Sequence, residues 1–196
     1  MNQKNLLDVD WSKIPAPTDD GAADHLVGMI IPPVRLRATD DTLVTISELS
    51  GRTVIFAYPR TGEPGKVALV EDWDMIPGAR GCTPHTCAFR DLFGELKAAG
   101  AAYVFGLSTQ SNAYQTEMAS RLHLPFPVLS DEKLELTEAL HLPTMEIAGL
   151  TMIKRLALIV DDARITHVFY PVFPPDRNAA EVLAWLNENR AEGGSA

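Results

Sequence analysis

Two cysteines, Cys82 and Cys87, are the residues of this sequence whose type and spacing point most directly to chemistry. Both lie within residues 81–87, where a loop rich in glycine and proline meets a predicted helix. Thr83 and Pro84 are good helix-start residues, so either Thr83 caps the helix or Cys82 lies in its first turn. In both cases the helix N-terminus stabilises an anion at the Cys82 sulfur, which favours a reactive thiolate.

The spacing of the two cysteines is not compatible with a disulfide inside an intact helix. Five helical steps place two Cα atoms roughly 8 to 9 Å apart, whereas a disulfide requires less than about 7 Å. A bond between Cys82 and Cys87 would therefore require the first turn to unwind. Such a bond suits a catalytic cycle with a conformational change better than it suits a structural cross-link.

Two other interpretations start from the same residues. Free cysteine is among the most buried residue types, which suits Cys87 beside alanine and phenylalanine better than Cys82 among polar residues. Cys82, His85 and Cys87 could supply three ligands of a zinc site, but a closed site needs a fourth ligand and the sequence holds no second cluster. Apart from that interpretation, we expect His85 to be a solvated residue of the first helical turn without a role.

The elements around the cysteines alternate between strands and helices. Alternating or continuous apolar runs predict strands at residues 33–38, 53–58, 102–107, 127–129, 154–160 and 165–170. Helical periodicity predicts helices at residues 45–49, 84–99, 112–122, 134–141 and 179–189. This order, with a hairpin and a helix at its end, indicates an α/β fold with a central mixed sheet flanked by helices. The same order matches a thioredoxin-like fold.

The composition is typical of one globular domain, with 46% apolar and 22% charged residues. Residues 1–27 are polar with several prolines and are predicted to form an N-terminal arm before a domain at 28–190. The net charge of −9 argues against binding to nucleic acid or an anionic membrane. No apolar run reaches the roughly eighteen residues of a membrane span, and the first residues lack a secretory signal. We therefore expect a cytoplasmic protein, in which thiols stay reduced.

One segment is specific enough to resemble a known family. Residues 81–91, Gly-Cys-Thr-Pro-His-Thr-Cys-Ala-Phe-Arg-Asp, resemble the active-site segment of the Q-type peroxiredoxins. Residues 56–59, 128–131 and 154–161 are similar to other segments of that family, and the resemblance covers residues 28–187. It implies a peroxiredoxin variant of the thioredoxin-like fold.

The resemblance also implies an activity. It implies a thiol peroxidase that reduces hydrogen peroxide and organic hydroperoxides without a cofactor or a metal. Cys82 would attack the peroxide and become a sulfenic acid, and Cys87 would resolve it as a disulfide within one chain. A thioredoxin-like dithiol would be the reducing partner, and the protein would be a monomer or a homodimer.

Three further site residues follow from the resemblance. Arg155 would hold the thiolate and polarise the peroxide, and Pro59 would lead from a strand into the site. The family has a threonine three residues before the first cysteine, where this sequence has Ala79. Thr61 is the candidate replacement, provided that the intervening residues 62–80 return it to the site. From the residues alone, Arg155 would be a surface charge, Pro59 a strand terminator and Thr61 a turn residue.

Residues 62–80 form an insertion into the family's active-site motif, and many of them are apolar. We expect this insertion to pack on the active-site rim or on a second subunit, with Trp73 sensing the oxidation of Cys82. Two rival functions stay open. One is a protein thiol-disulfide oxidoreductase, although that activity usually uses Cys-x-x-Cys. The other is a non-catalytic redox-sensing or metal-binding module that uses Cys82, His85 and Cys87.

Overall fold

The computed structural model describes residues 9–190, which form an α/β fold around a seven-stranded mixed sheet. The strands are β1 (Arg35–Ala38), β2 (Leu43–Thr45), β3 (Arg52–Ala57), β4 (Tyr103–Ser108), β5 (Val128–Ser130), β6 (Thr144–Ile147), β7 (Leu150–Ile153), β8 (Leu156–Asp161) and β9 (Arg164–Phe169). The α-helices are α1 (Cys82–Asp91), α2 (Phe93–Ala98), α3 (Asn112–Arg121), α4 (Glu135–Leu140) and α5 (Asn178–Glu188). The predicted fold class is confirmed.

The sheet has the order β2-β1-β5-β4-β3-β8-β9, with β6 and β7 paired as a separate hairpin. Strands β3, β4 and β5 are parallel, whereas β8 runs antiparallel to β3 and β9 antiparallel to β8. β3 lies inside the sheet because its β-branched and aromatic residues are buried on both faces, as expected of a strand covered by helices. Its carboxyl end leads directly to Pro59, so the sheet positions the start of the site.

Two apolar cores lie on opposite faces of the sheet. One contains Leu136 and Leu140 of α4, packed with the sheet side chains that point to that face. The other contains both cysteines and Phe89 of α1, together with side chains of α2, α3 and α5. The helix that carries the cysteines is therefore fixed against the sheet by burial of its apolar face.

Most predicted elements are present with shifted ends, but four details differ. The helix expected at 84–99 is two helices, because the backbone leaves helical geometry at Leu92. The helix expected at 45–49 is a short 3-10 turn, Ile46–Glu48, since Leu49 is already extended. Strand β2 and the β6–β7 hairpin were not predicted. Arg155 lies before β8 rather than within it.

Individual side chains of the segment assigned to an N-terminal arm pack on the domain, and residues 1–8 lie outside the described part. Ala23 and Leu26 are buried in the same core as α4. A 3-10 turn, Trp11–Lys13, lies near the start of α1, where the Trp11 ring approaches Gly81. Burial of these side chains joins the arm to the fold.

The segment 62–80, which the sequence predicts to be an insertion, has two parts with different environments. In its second part, Trp73 and Ala79 pack against Ile147 and Met152 of the β6–β7 hairpin. In its first part, Val67 is 94% exposed. The expected packing therefore occurs within the chain for the second part, on a hairpin that the sequence did not predict.

Across residues 9–190, every helix is too short or too polar to span a lipid bilayer.

Candidate active site

Cys82 is the first residue of α1 and is almost completely buried. Gly81 precedes the helix with a φ of 102°, and its carbonyl accepts a hydrogen bond from the His85 N–H at 3.0 Å. The cap position is therefore Gly81 rather than Thr83, and Cys82 lies in the first turn. At this position the unpaired N–H groups of the turn favour a negatively charged sulfur.

The side chain of Arg155 meets the sulfur of Cys82. Its Nη2 donates to Cys82 Sγ at 3.2 Å and to the carbonyls of Gly78 and Arg80 at 3.2 and 3.0 Å. Arg155 is 2% exposed, so the alternative of a surface charge is wrong. A fixed guanidinium at this distance stabilises a thiolate.

A backbone carbonyl is the second partner of the sulfur. The Cys82 thiol donates to the carbonyl of Ala79 at 3.5 Å, and Ala79 stands where the family pattern has threonine. Neither this bond nor the bond from Arg155 involves a hydroxyl. Tyr58 lies close enough that the charge of a Cys82 thiolate adds to burial in raising the tyrosine pKa well above its usual value. Tyr58 was not predicted as a site residue.

Cys87 lies in the same helix, is buried and is not bonded to Cys82. Burial raises the pKa of its thiol above the ordinary value. Because both cysteines lie in the continuous helix α1, a bond between them requires a change in the first turn, as the spacing predicted.

Pro59 and Thr61 lie in the segment that follows β3 and are buried. The Thr61 hydroxyl donates to Gln110 Oε1 at 3.2 Å, and the Thr61 N–H donates to the same oxygen at 2.9 Å. The Pro59 carbonyl accepts from the Ser108 hydroxyl at 3.1 Å. Thr61 and Cys82 line the same cleft, and the Thr61 hydroxyl is hydrogen-bonded to Gln110.

His85 is buried, so the expectation of a solvated residue is wrong. Its ring lies edge-on to Phe56 and Phe89, with centroid distances of 5.2 and 5.3 Å. The spacing of four residues between His85 and Phe89, which places both on the apolar face of α1, is the signal that could have revealed its burial. Asn178 approaches the ring from α5 and no sequence signal indicated it.

A sequence model of the redoxin family matches residues 26–183 of this chain. The chain belongs to the redoxin family. Among curated relatives, the chloroplastic peroxiredoxin Q of Oryza sativa subsp. japonica is 29% identical over 161 residues, which is 81% of this chain and 65% of the relative. Peroxiredoxin bcp1 of Schizosaccharomyces pombe is 29% identical over 148 residues, covering 69% of this chain and 67% of the relative. This redoxin therefore spans just under two thirds of the rice protein.

A solved structure is similar to this chain as well. The peroxidoxin BcpB of Mycobacterium tuberculosis superposes with a TM-score of 0.66 at 25% identity and covers 84% of this chain and 98% of that one. This redoxin is therefore similar in sequence to Q-type peroxiredoxins, and it shares the thioredoxin-like fold of the solved peroxidoxin.

The cleft beside Cys82 has a volume of about 1080 Å³. Its lining includes Val67 and Trp73 of residues 62–80 and Tyr114 of α3. Arg80 at its edge is paired with Asp74 at 3.4 Å. The cleft has room for a substrate much larger than hydrogen peroxide.

The geometry does not support a metal site formed by Cys82, His85 and Cys87. Both ring nitrogens of His85 are hydrogen-bonded, one to Arg155 and one to Asn178. Between residues 9 and 190, no three His, Cys, Asp or Glu side chains are grouped so that they could hold an ion.

Proposed function

We propose that this redoxin is a thiol peroxidase that reduces hydrogen peroxide and organic hydroperoxides, with Cys82 as the attacking thiolate. The observation that carries the proposal is the contact of 3.2 Å between Arg155 Nη2 and Cys82 Sγ at the first turn of α1. The cleft supports access of peroxides with an organic group, because it opens directly beside this sulfur.

In the first step, the Cys82 thiolate attacks one peroxide oxygen. An S–O bond forms and the O–O bond breaks, so the sulfur is oxidised to a sulfenic acid and the peroxide is reduced. The departing hydroxide or alkoxide takes up a proton and leaves as water or alcohol. Arg155 stabilises the thiolate before attack and the negative charge that develops on the departing oxygen.

In the second step, Cys87 attacks the oxidised sulfur of Cys82. An S–S bond forms, the S–O bond breaks and water leaves. The first turn of α1 unwinds so that the two sulfurs can meet. A thioredoxin-like dithiol then reduces the disulfide by thiol-disulfide exchange, which returns both cysteines to the thiol form.

Pro59 and Thr61 have positioning roles in this proposal. Pro59 follows β3, which ends at Ala57, and its carbonyl is held by Ser108 of β4. Thr61 is tied to Gln110 by three hydrogen bonds, which fixes the edge of the cleft. The catalytic unit is the domain at 28–190 with its insertion at 62–80, acting in the cytoplasm. Since both cysteines belong to one chain, a monomer or a homodimer performs the same cycle.

The test is steady-state consumption of hydrogen peroxide and cumene hydroperoxide in the presence of thioredoxin, thioredoxin reductase and NADPH. We expect NADPH oxidation that depends on both peroxide and this protein. Reduction of insulin disulfides, measured in parallel, tests the rival oxidoreductase activity and is expected to be absent. Insulin reduction without peroxide consumption would contradict the proposal.

A further inference from the structure

Three buried side chains form a continuous chain of contacts from the sulfur of Cys82 to the start of α5. Arg155 Nη1 lies 3.2 Å from His85 Nδ1, and His85 Nε2 lies 3.0 Å from Asn178 Oδ1. His85 and Asn178 are both 0% exposed. The attacking thiolate and its arginine therefore depend on two residues that do not themselves touch the sulfur.

The partners decide which ring nitrogen of His85 carries the proton. Asn178 Oδ1 only accepts hydrogen bonds, and the amide is oriented by Asn178 Nδ2, which lies 3.5 Å from Glu181 Oε2. Nε2 must then donate, which leaves the lone pair of Nδ1 directed at Arg155. The guanidinium only donates, so Nη1 donates to Nδ1. Every contact in the chain has one donor and one acceptor.

His85 is the one contact that holds the second terminal nitrogen of Arg155 among residues 9–190. Nη2 has the sulfur and two carbonyls as acceptors, whereas Nε is buried without a partner in the described part of the chain. Nη1 is bonded to His85. Loss of that acceptor would leave the plane of the guanidinium fixed at one nitrogen only.

The neutral form of His85 suits this place. Burial, followed by the charge of Arg155, lowers the pKa of His85 well below its usual value, and Asn178 offsets this only in part. The other titratable groups linked to the ring by these contacts are Cys82, through Arg155, and Glu181 of α5, through Asn178. A neutral acceptor orients Arg155 without cancelling the charge that the thiolate needs.

We propose that His85 is a positioning residue for Arg155: its unprotonated Nδ1 fixes the guanidinium beside Cys82, and Asn178 fixes the tautomer that makes this possible. The inference rests on the proposed peroxidase function, because its effect is measured on the oxidation of Cys82. It assigns roles to His85 and Asn178 that their positions in the sequence do not indicate.

The experiment measures single-turnover oxidation by hydrogen peroxide in a Cys87→Ser background, so that resolution does not contribute. His85→Phe fits the ring contacts but has no acceptor, and we expect oxidation to slow about tenfold with an unchanged circular dichroism spectrum. His85→Gln offers an amide oxygen to Arg155 and is expected to recover most of the rate. Equal rates in the parent and in His85→Phe would overturn the inference.

Asn178→Asp tests the tautomer. A carboxylate next to Nε2 favours the protonated imidazole, whose Nδ1 then donates and repels Arg155. We expect the ratio of the Asn178→Asp rate to the parent rate to fall as the pH is lowered from about 8 to about 5.5, the range in which histidine titrates. Glu181→Gln, which keeps the Asn178 amide, is the matched control and is expected to have a constant ratio.

The outcomes separate this inference from the proposed function. If the parent protein reacts with peroxide no faster than free cysteine, the proposed peroxidase is wrong. If the parent reacts rapidly but the Asn178→Asp ratio does not change with pH, the function stands and the role of the tautomer is overturned. A ratio of variant rate to parent rate that falls at lower pH for Asn178→Asp, but not for Glu181→Gln, supports the role of the tautomer.

Discussion

Trp11 packs against Gly81, the residue directly before Cys82. A Cβ atom at Gly81 would lie 2.6 Å from Cη2 of Trp11 and 2.7 Å from Cγ of Pro175. The indole is held by a hydrogen bond of 2.9 Å from its Nε1 to Asp176 and by edge contact with Phe173. The N-terminal segment therefore packs directly against the backbone that must move when the first turn of α1 unwinds.

This contact predicts that Gly81→Ala is destabilising. The added methyl would meet two rings, and the φ of 102° disfavours any residue with a Cβ. We expect a loss of about 1 to 3 kcal/mol in the free energy of unfolding, measured by urea denaturation. Gly149→Ala is the matched control, because Gly149 also has a positive φ but nothing within 4 Å of its Cβ position. An equal loss in both variants would mean that the Trp11 contact contributes nothing.

Trp11 is also expected to report the oxidation state. A variant with Trp73→Phe and Trp185→Phe retains only Trp11, whose emission should change when the Cys82–Cys87 disulfide forms and Gly81 moves. The variant with Trp11→Phe and Trp185→Phe retains Trp73, which packs on the β6–β7 hairpin and lines the cleft. The emission of Trp73 is expected to change less on oxidation than the emission of Trp11. Emission that is the same in reduced and oxidised forms of both variants would contradict unwinding of the first turn.

Arg155→Met is expected to slow the oxidation of Cys82 by about 100-fold, because the donor at the sulfur is lost. Arg155→Lys restores charge but not the planar fork and should recover only part of the rate. Competition for hydrogen peroxide against a reporter peroxidase measures both. Lys154→Met is the matched control, since the Lys154 ammonium pairs with Asp20 away from the sulfur. A rate equal to wild type for Arg155→Met would remove Arg155 from the mechanism.

The raised pKa of Cys87 has a consequence for pH. In a Cys82→Ser variant, the ultraviolet absorbance of the Cys87 thiolate should appear at higher pH in the folded protein than in the same protein in urea. The neutral thiol then contributes stability below the unfolded pKa of about 8.5, and that contribution is lost as the pH rises through the folded pKa. Coincident titrations in the folded and unfolded protein would show that burial does not affect the thiol.

Local patterns were sufficient to predict part of this site. The glycine, threonine and proline around Cys82 indicate a helix start, and the apolar run of β3 indicates a buried strand that ends before Pro59. The remaining parts depend on contacts between distant residues. Arg155 is 73 residues from Cys82, and Asn178 is 93 residues from His85. Arg155 and His85 look exposed in sequence because polar residues usually are, and only tertiary packing shows what satisfies them when buried.

The packing of the insertion also depends on residues that are distant in the sequence. Its apolar residues predicted that it would pack, but its partner is the β6–β7 hairpin, which carries too short an apolar pattern to be recognised. The replacement for the family threonine could not be predicted either. The sulfur of Cys82 is hydrogen-bonded to the carbonyl of Ala79, whereas the Thr61 hydroxyl is hydrogen-bonded to Gln110.

The central claim is that Cys82 and Cys87 have unequal roles within one chain. Its most direct test is intact mass spectrometry, with non-reducing gels, after one equivalent of hydrogen peroxide. The account predicts that wild type loses two hydrogens and stays a monomer, that Cys87→Ser gains oxygen at Cys82, and that Cys82→Ser is unchanged. A disulfide-linked dimer as the main wild-type product, or oxidation of Cys82→Ser at the wild-type rate, would contradict it.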